Sequence, residues 1–583
     1  MLHVSLSLAS ATIAQAEVRK IFRAGATVVD ITPPNIGPDN PSIIAGSFLE
    51  GTATSVQSPL FVRTLVLDDG TTRIVLSVVD TCMMTQSLID QAKSMASQQC
   101  GIPVERMMVS ATHTHSAPAA MSCLGTRQDK KYAAWLPGKI AESIVAAQHH
   151  MVPARIGWAS VDDWWHTHNR RWIRKPESKI VDPFGDATGL AHMHPGHQSK
   201  DVIGPSGPVD PALSVIAIQS LDDQPLAVFA NYSQHYFGSP AVSSDYFGLF
   251  CKYMATIMRQ PGEGNGPFVA AISQGTSGDL MWMDYGSPAN NPTLTDYAEQ
   301  VARTAEKALA KVVYRDHAEL TIVERQLELN YRVPDQKRLD WARTIVAAME
   351  DRLPKTLPEV YAHEAIYLHD MQKTRLKLQA IRIGDLTIAT LPNEVYALTG
   401  LKLRGRSPAA SHFNIELANG AEGYIPPPEQ HALGGYTTWP ARTAGLEVEA
   451  EPKIVETLTQ ALEEATGQQR RVMQDQHGPY AQKILDSNPV QYWRLNDEDG
   501  STPRNAVPTG QPAHLTPGFA WFLPGAGSGT GIGKREELSF SEFSGPNQIN
   551  RAVHLAGGTM RCSTLGLIDD YTVCVWFWLG ERS

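Results

Sequence analysis

The chain runs to 583 residues, 42% hydrophobic and 19% charged, with 45 Gly and 39 Pro, a globular composition whose length suggests about two to four domains. Its formal net charge is −10, and no Lys/Arg-rich block follows a phosphate backbone, so nucleic acid is not an expected partner. Beyond the N-terminus no apolar run reaches the roughly 18 residues of a spanning helix, and no transmembrane segment is expected.

Residues 1–16, "MLHVSLSLASATIAQA", carry no Asp, Glu, Lys or Arg and end in Ala14-Gln15-Ala16, the small-x-small pattern of a signal-peptidase site. They read as an export signal without the usual positive n-region, placing the protein in the periplasm or outside the cell; a plain N-terminal tail is the other reading. From Phe22 apolar strands alternate with helical stretches: "AGATVVDITPP", then "LFVRTLVLDDG", then "TRIVLSVVD". The stretch from Arg73 to Val79 is nearly all apolar, as in a strand covered on both faces. A helix is expected from Gln86 to about Gln99, stopped by Gly101, and then the strand "RMMVSA" delivers "SATHTHSAP" at 110–118. Alternation on an extended chain puts His113 and His115 on one face, which permits metal ligation; a hydrogen-bonded pair at a strand end explains them equally well. In a strand-helix-strand unit, ligands bind at the carboxyl ends of the parallel strands, where these histidines fall.

Further strands are expected near 212–218, 226–231, 268–272 and 319–329, and helices near 138–150, 295–311 and 335–350. Between Lys175 and Pro208 lies an insertion rich in Gly, Pro and His; its His192, His194 and His197 are of ligand type, but a solvated loop is the preferred reading. No internal repeat stands out. The six cysteines, Cys82, Cys100, Cys123, Cys251, Cys562 and Cys574, form no C-x-x-C pair and are expected as buried free thiols, with only the last two near enough in sequence to invite pairing. The polar stretch 467–479, "GQQRRVMQDQHGP", reads as a linker. Beyond it, "NPVQYWRLNDEDG", "AVHLAGG" and "YTVCVWFWLG" are aromatic and β-branched runs between Gly- and Pro-rich spacers. Residues 480–583 resemble the laminin-G/concanavalin-like jelly rolls, which implies a carbohydrate ligand. The piece is short for that fold, so an incomplete sandwich is weighed beside a complete one.

Zinc hydrolysis needs three or four N/O donors and an open position. Besides the paired histidines, polar residues interrupt apolar stretches at His235 in "ANYSQHYFG", Glu394 in "IATLPNEVYALTG", and Tyr424 and Tyr436 in "NGAEGYIPPPEQHALGGYTT". Each alone has a bland reading: a hydrogen-bonded core histidine, a glutamate at a helix start, two loop tyrosines.

Taken in order, "SATHTHSAP", "NRR" at 169–171, "QH" followed by "SSDYFG", "FVAAISQGTSGDL", "LPNE" with "GLKLR", and "NGAEGY" resemble the neutral, non-lysosomal ceramidases, as does the opening "AGATVVDITPP". The resemblance covers about residues 22 to 465. It implies an α/β catalytic domain over 22–466, a mixed sheet with helices, ahead of the short all-β jelly-roll sandwich. It implies one Zn2+ per chain held by His113, His235, Glu394 and Tyr424. His115 would stand beside the metal as a hydrogen-bonding or proton-transfer partner, and Arg170 and Tyr436 would hold the substrate carbonyl. The implied substrate is an N-acyl lipid, ceramide-like and membrane-presented, and the implied reaction is amide hydrolysis by zinc-activated water.

One position departs from the family pattern. The serine assigned there as nucleophile, two residues past the Gly-Asp pair, is Met281 here. A thioether cannot form an acyl intermediate; Ser277 and Thr276 are the nearby hydroxyls, and a glycine-rich turn also explains them. The rival reading is a disabled ceramidase-like protein acting as a carbohydrate- or surface-binding protein through its C-terminal part. The binuclear metallo-β-lactamase pattern H-x-H-x-D-H is discounted, because Ala117 and Pro118 stand where it needs Asp and His.

Overall fold

The computed structural model describes residues 20–258, 268–472, 477–525, 549–563 and 570–577; the export-signal stretch 1–16 lies outside them. The central strands are β1 (Arg23–Asp30), β2 (Phe61–Asp68), β3 (Arg73–Val79), β4 (Met107–Ala111), β5 (Val152–Asp162), β6 (Ala212–Ser220), β7 (Pro225–Tyr232), β8 (Val269–Gln274), β9 (Leu320–Asn330), β10 (Lys373–Ile383), β11 (Leu386–Thr390) and β12 (Ser411–Ile415). The first eight form one mixed sheet in the order β8-β7-β6-β5-β1-β2-β3-β4, and the last four form a second, β9-β10-β11-β12.

These strands fall into three units of one topology. Each opens with a strand and a long insertion. An antiparallel hairpin follows, and then a helix crosses over to a strand parallel to the hairpin's second arm. The parallel pairs are β3 with β4, β7 with β8 and β11 with β12, and the crossover helices are Gln86–Cys100, Asp245–Met258 and Ala397–Arg406. The sequence gives no hint of this repetition, because insertions of unequal length separate the units and the side chains differ.

The strands are apolar on both faces because they are covered on both. In β3, Ile74, Leu76 and Val78 pack into the core between the two sheets, while Val75 and Val79 pack toward the helices Gln86–Cys100 and Lys130–His149. The second sheet turns its other face to the helix Ala450–Thr466, giving four layers, helix, sheet, sheet, helix. The fold is the mixed α/β arrangement expected.

Two elements differ from expectation. The helix expected near 138–150 begins at Lys130, capped by the Asp129 side chain, and carries Pro137 inside it. The proline's penalty is offset by burying Tyr132, Ala133, Leu136 and Pro137 itself. In the C-terminal part, a helix, Pro479–Asp486, precedes two antiparallel strand pairs, Ala513–Leu515 with Met560–Cys562 and Phe519–Pro524 with Arg551–Leu555. The apolar run 571–577 belongs to no strand and exposes Tyr571, Val573 and Val575; an alternating pattern makes a strand only where a neighbour supplies hydrogen bonds. Cys562 and Cys574 are free and exposed, whereas Cys82, Cys100 and Cys251 are the buried thiols expected.

The third unit is tied to its covering helix by a buried ion pair. Lys402 Nζ lies 3.0 Å from Glu451 Oε1, with both side chains at most 2% exposed, and Thr399 Oγ1 donates to the same oxygen. Removing one partner of such a pair costs about 3–5 kcal/mol, whereas apolar replacement of both is close to neutral. Glu451→Ala is therefore expected to lose that much in urea unfolding while Lys402→Met with Glu451→Leu stays near wild type; a single variant within about 1 kcal/mol of wild type would refute the pair's role.

Candidate metal centre

All three parallel pairs end at one rim, and their tails supply the polar side chains there. His113 leaves β4 with φ of 67°, a left-handed conformation that L-residues adopt only when the surroundings enforce it. Its N–H donates to the Thr81 carbonyl at 2.9 Å, and its Nδ1 donates to the Cys82 carbonyl at 3.0 Å. The ring thereby presents Nε2 to the crevice, and against its burial Cys82 and then Glu394 raise this imidazole well above the usual range. Strand alternation is not what joins the two histidines of "HTH", since the strand has ended at Ala111. The left-handed turn brings His115 Nε2 to 3.1 Å from His113 Nε2, with the His115 ring against Gly46, where a Cβ would lie 2.4 Å from it. On its other side Tyr236 stacks at 3.7 Å between centroids.

His235 follows β7 and is fully buried; its Nε2 lies 3.1 Å from His113 Nε2. Glu394 follows β11 and brings Oε2 to 3.3 Å from His113 Nε2 and 3.9 Å from His235 Nε2. Tetrahedral zinc with bonds of about 2.0–2.1 Å has ligand atoms roughly 3.3–3.4 Å apart, so these three atoms stand near the edge lengths of one coordination shell. Glu394 Oε2 is buried without a hydrogen-bond partner, a costly arrangement for a carboxylate unless a cation faces it. Burial, followed by Arg170, holds His235 well below the usual imidazole range; burial and then His113 do the same for His115. Neutral imidazoles are the form a metal takes. The residues present fit a zinc ion.

Tyr424 is delivered beside Glu394 by a two-residue parallel pairing, Glu394 with Tyr424 and Val395 with Ile425. Arg170 Nη2 donates to the Tyr424 hydroxyl at 3.0 Å and to the Gly278 carbonyl at 2.9 Å. The ring of Tyr436 lies 5.5 Å from that of Tyr424 and 5.0 Å from that of Phe48. Burial, and then Glu394, lift both phenols above their usual range, so both remain proton donors. His113, His115, Glu394, Tyr424 and Tyr436 line a cleft of about 40 Å³ whose apolar wall includes Met83, Met121 and Leu124, room for about three waters. Arg170 and His235 are not on its wall, and Arg170 reaches the site through Tyr424.

The insertion 175–208 is more ordered than a solvated loop. Its strand Ala191–Met193 pairs with Arg171–Arg174, and His194 Nε2 lies 3.5 Å from Arg170 Nη1. Among the described residues, none of His192, His194 and His197 joins a metal-type cluster. Met281 is buried, paired with His168 away from the cleft. Sequence reasoning passed over Glu416, the first residue after β12; a lone carboxylate in the apolar run "HFNIELA" was the signal available. It also passed over Cys82 and Tyr236, which nothing in the sequence marks.

No protein-family model matches the chain, and no curated protein does. Among solved structures it resembles a neutral ceramidase from Pseudomonas aeruginosa, with a TM-score of 0.56 and 17% identity over 78% of this chain and 76% of that one. A ceramidase structure described as complexed with C2 matches with the same figures. The likeness establishes a shared fold.

A ligand that binds only the folded protein stabilises it, by about 4 kcal/mol at a thousandfold excess over Kd. Added zinc is expected to raise the Tm of metal-stripped protein. Glu394→Gln, which removes the carboxylate charge, is expected to lose most of the response to zinc. An unchanged zinc response in that variant would count against the carboxylate as a ligand.

Proposed function

We propose that the chain is a zinc-dependent amidohydrolase that cleaves the N-acyl amide of a ceramide-like, membrane-presented lipid. The observation that carries this reading is the convergence of two imidazole nitrogens, one buried carboxylate oxygen and one phenol beside a partly apolar cleft. The shared fold with structures described as ceramidases supports it. When bound, zinc supplies a Lewis acid for the amide carbonyl and brings the pKa of water near neutrality.

His113, His235, Glu394 and Tyr424 hold the metal. His115, neutral and on the cleft wall, takes the proton from the attacking water and returns it to the leaving amine. Tyr436 donates from its phenol to the carbonyl oxygen as charge develops there. Arg170, through its hydrogen bond to Tyr424, keeps that oxygen oriented and adds positive charge behind it. No side chain acts as nucleophile: Met281 carries a thioether away from the cleft, and the Ser277 hydroxyl is bound to Glu416 at 2.6 Å.

Zinc-loaded protein is expected to hydrolyse fluorescent N-acyl-sphingosine or a shorter N-acyl amine, to stop with a chelator, and to show no burst of amine product. Tyr436→Phe and Arg170→Lys should retain zinc and lower kcat by about 10²–10³. Zinc uptake without cleavage of any N-acyl substrate, combined with cleavage by Met281→Ser, would identify a disabled relative instead.

A further inference from the structure

Behind His235, on the side away from the cleft, lies a pair of fully buried polar residues that the hydrolytic reading leaves unused. The Ser277 hydroxyl lies 2.6 Å from Glu416 Oε1, receives the Gln274 side-chain amide at 2.8 Å, and stands 3.4 Å from His235 Nδ1. Glu416 Oε2 receives two backbone N–H groups, from Val395 at 2.7 Å and Ser277 at 3.2 Å. Ser277 and Glu416 are each 0% exposed, and neither lines the cleft.

The hydrogens can be assigned. A ring that offers Nε2 to a metal must carry its proton on Nδ1, and the Ser277 oxygen is the acceptor within reach. That oxygen has two lone pairs, filled by Gln274 and by His235 Nδ1–H, so its own hydrogen points to Glu416 Oε1. With both backbone donors on the other oxygen, every proton in the cluster points toward Glu416 when that carboxylate is ionised; a protonated Glu416 would donate to Ser277 and turn the serine hydrogen to His235 Nδ1. Burial lifts the Glu416 carboxyl to about 8, and a positive charge held beyond His235 would favour its ionised, accepting form.

We infer that Ser277 and Glu416 are positioning residues that fix the tautomer and ring orientation of His235, a carboxylate acting on a metal-ligating histidine through a serine hydroxyl. The inference rests on the metal-centre reading. Metal-ligating histidines usually hand their second N–H to a carboxylate or carbonyl, and loss of that partner costs about 10–100-fold in metal affinity. His113 uses the Cys82 carbonyl for this purpose; His235, whose Nδ1 faces the Ser277 hydroxyl, uses the relay.

The test is competition of the metal-stripped full-length chain with a chelator for zinc, together with the visible spectrum of the Co2+ form and the Tm of the metal-stripped form. Ser277→Ala and Glu416→Gln are expected to fold, to bind zinc about 10–100-fold more weakly and to shift the Co2+ bands, with Ser277→Thr recovering affinity because it keeps the hydroxyl. Wild-type protein that takes up no zinc overturns the metal-centre reading and the relay with it. Wild-type protein that binds zinc while both folded variants match it within about twofold overturns the relay alone. If Glu416→Gln fails to fold, Ser277→Ala decides by itself, since it deletes one oxygen.

Discussion

Two imidazole nitrogens 3.1 Å apart, with a carboxylate oxygen 3.3 Å from one of them, need a shared positive charge: a proton on His113, which against its burial Cys82 and then Glu394 raise well above the usual imidazole range, or a cation in its place. His113 Nδ1 donates to the Cys82 carbonyl, so its Nε2 faces Glu394 Oε2, as the donor of an ion pair when protonated and as a lone pair when a cation takes the proton's place. Buried acceptors that face one another destabilise a fold unless a cation sits among them. The neighbouring structure is arranged to keep them facing. The left-handed backbone at His113, the two-residue pairing of Glu394 with Tyr424 and the close seat of His115 on Gly46 all hold these donors where an unconstrained chain would let them separate.

The donors can meet because they come from three copies of one topology. In each unit the hairpin tip points away from the site, and the paired carboxyl ends of the parallel strands point into it. The first unit supplies Cys82 and His113, the second His235 and Ser277, and the third Glu394 and Glu416, each residue pair crossing from one tail of a parallel pair to the other. The insertions between the first and second strands of the units then serve as cover. Gly46 comes from the first, and Arg170 and His194 from the second. A cation at this centre would join three units that otherwise share apolar packing, so metal binding and folding would be coupled.

Much of this was legible in the sequence where a local rule applies. Doubly covered strands read as continuous apolar runs, helix stops as glycine, and ligand candidates as polar residues just past the apolar runs ending at Ala111, Tyr232 and Thr390. The parts that were not legible depend on contacts distant in sequence. The backbone angle of His113 is set by Thr81 and Cys82, the start of the second long helix by burial around Pro137, and the ordering of the insertion 175–208 by its pairing with Arg171–Arg174. The repetition stayed hidden because topology constrains where strands lie and leaves their residues free. The expected proximity of His113 and His115 was right in outcome and wrong in cause, since a turn achieves what alternation was invoked for.

Met281 and Ser277 show how far a motif can be trusted once a site is built from tails. In the first unit the tail of the last strand carries a metal-type donor, His113; in the second and third the corresponding tails carry Ser277 and Glu416, which face each other at 2.6 Å. One topological position thus holds a metal-type donor once and a member of a buried hydrogen-bonded pair twice. The hydroxyl near the Gly-Asp turn, which a family comparison would nominate as a shifted nucleophile, lies behind His235, where it can orient a ring but cannot reach a carbonyl in the cleft. Met281 is likewise absent from the cleft wall, so the side chain at that motif position leaves the donor set His113, His235 and Glu394 untouched.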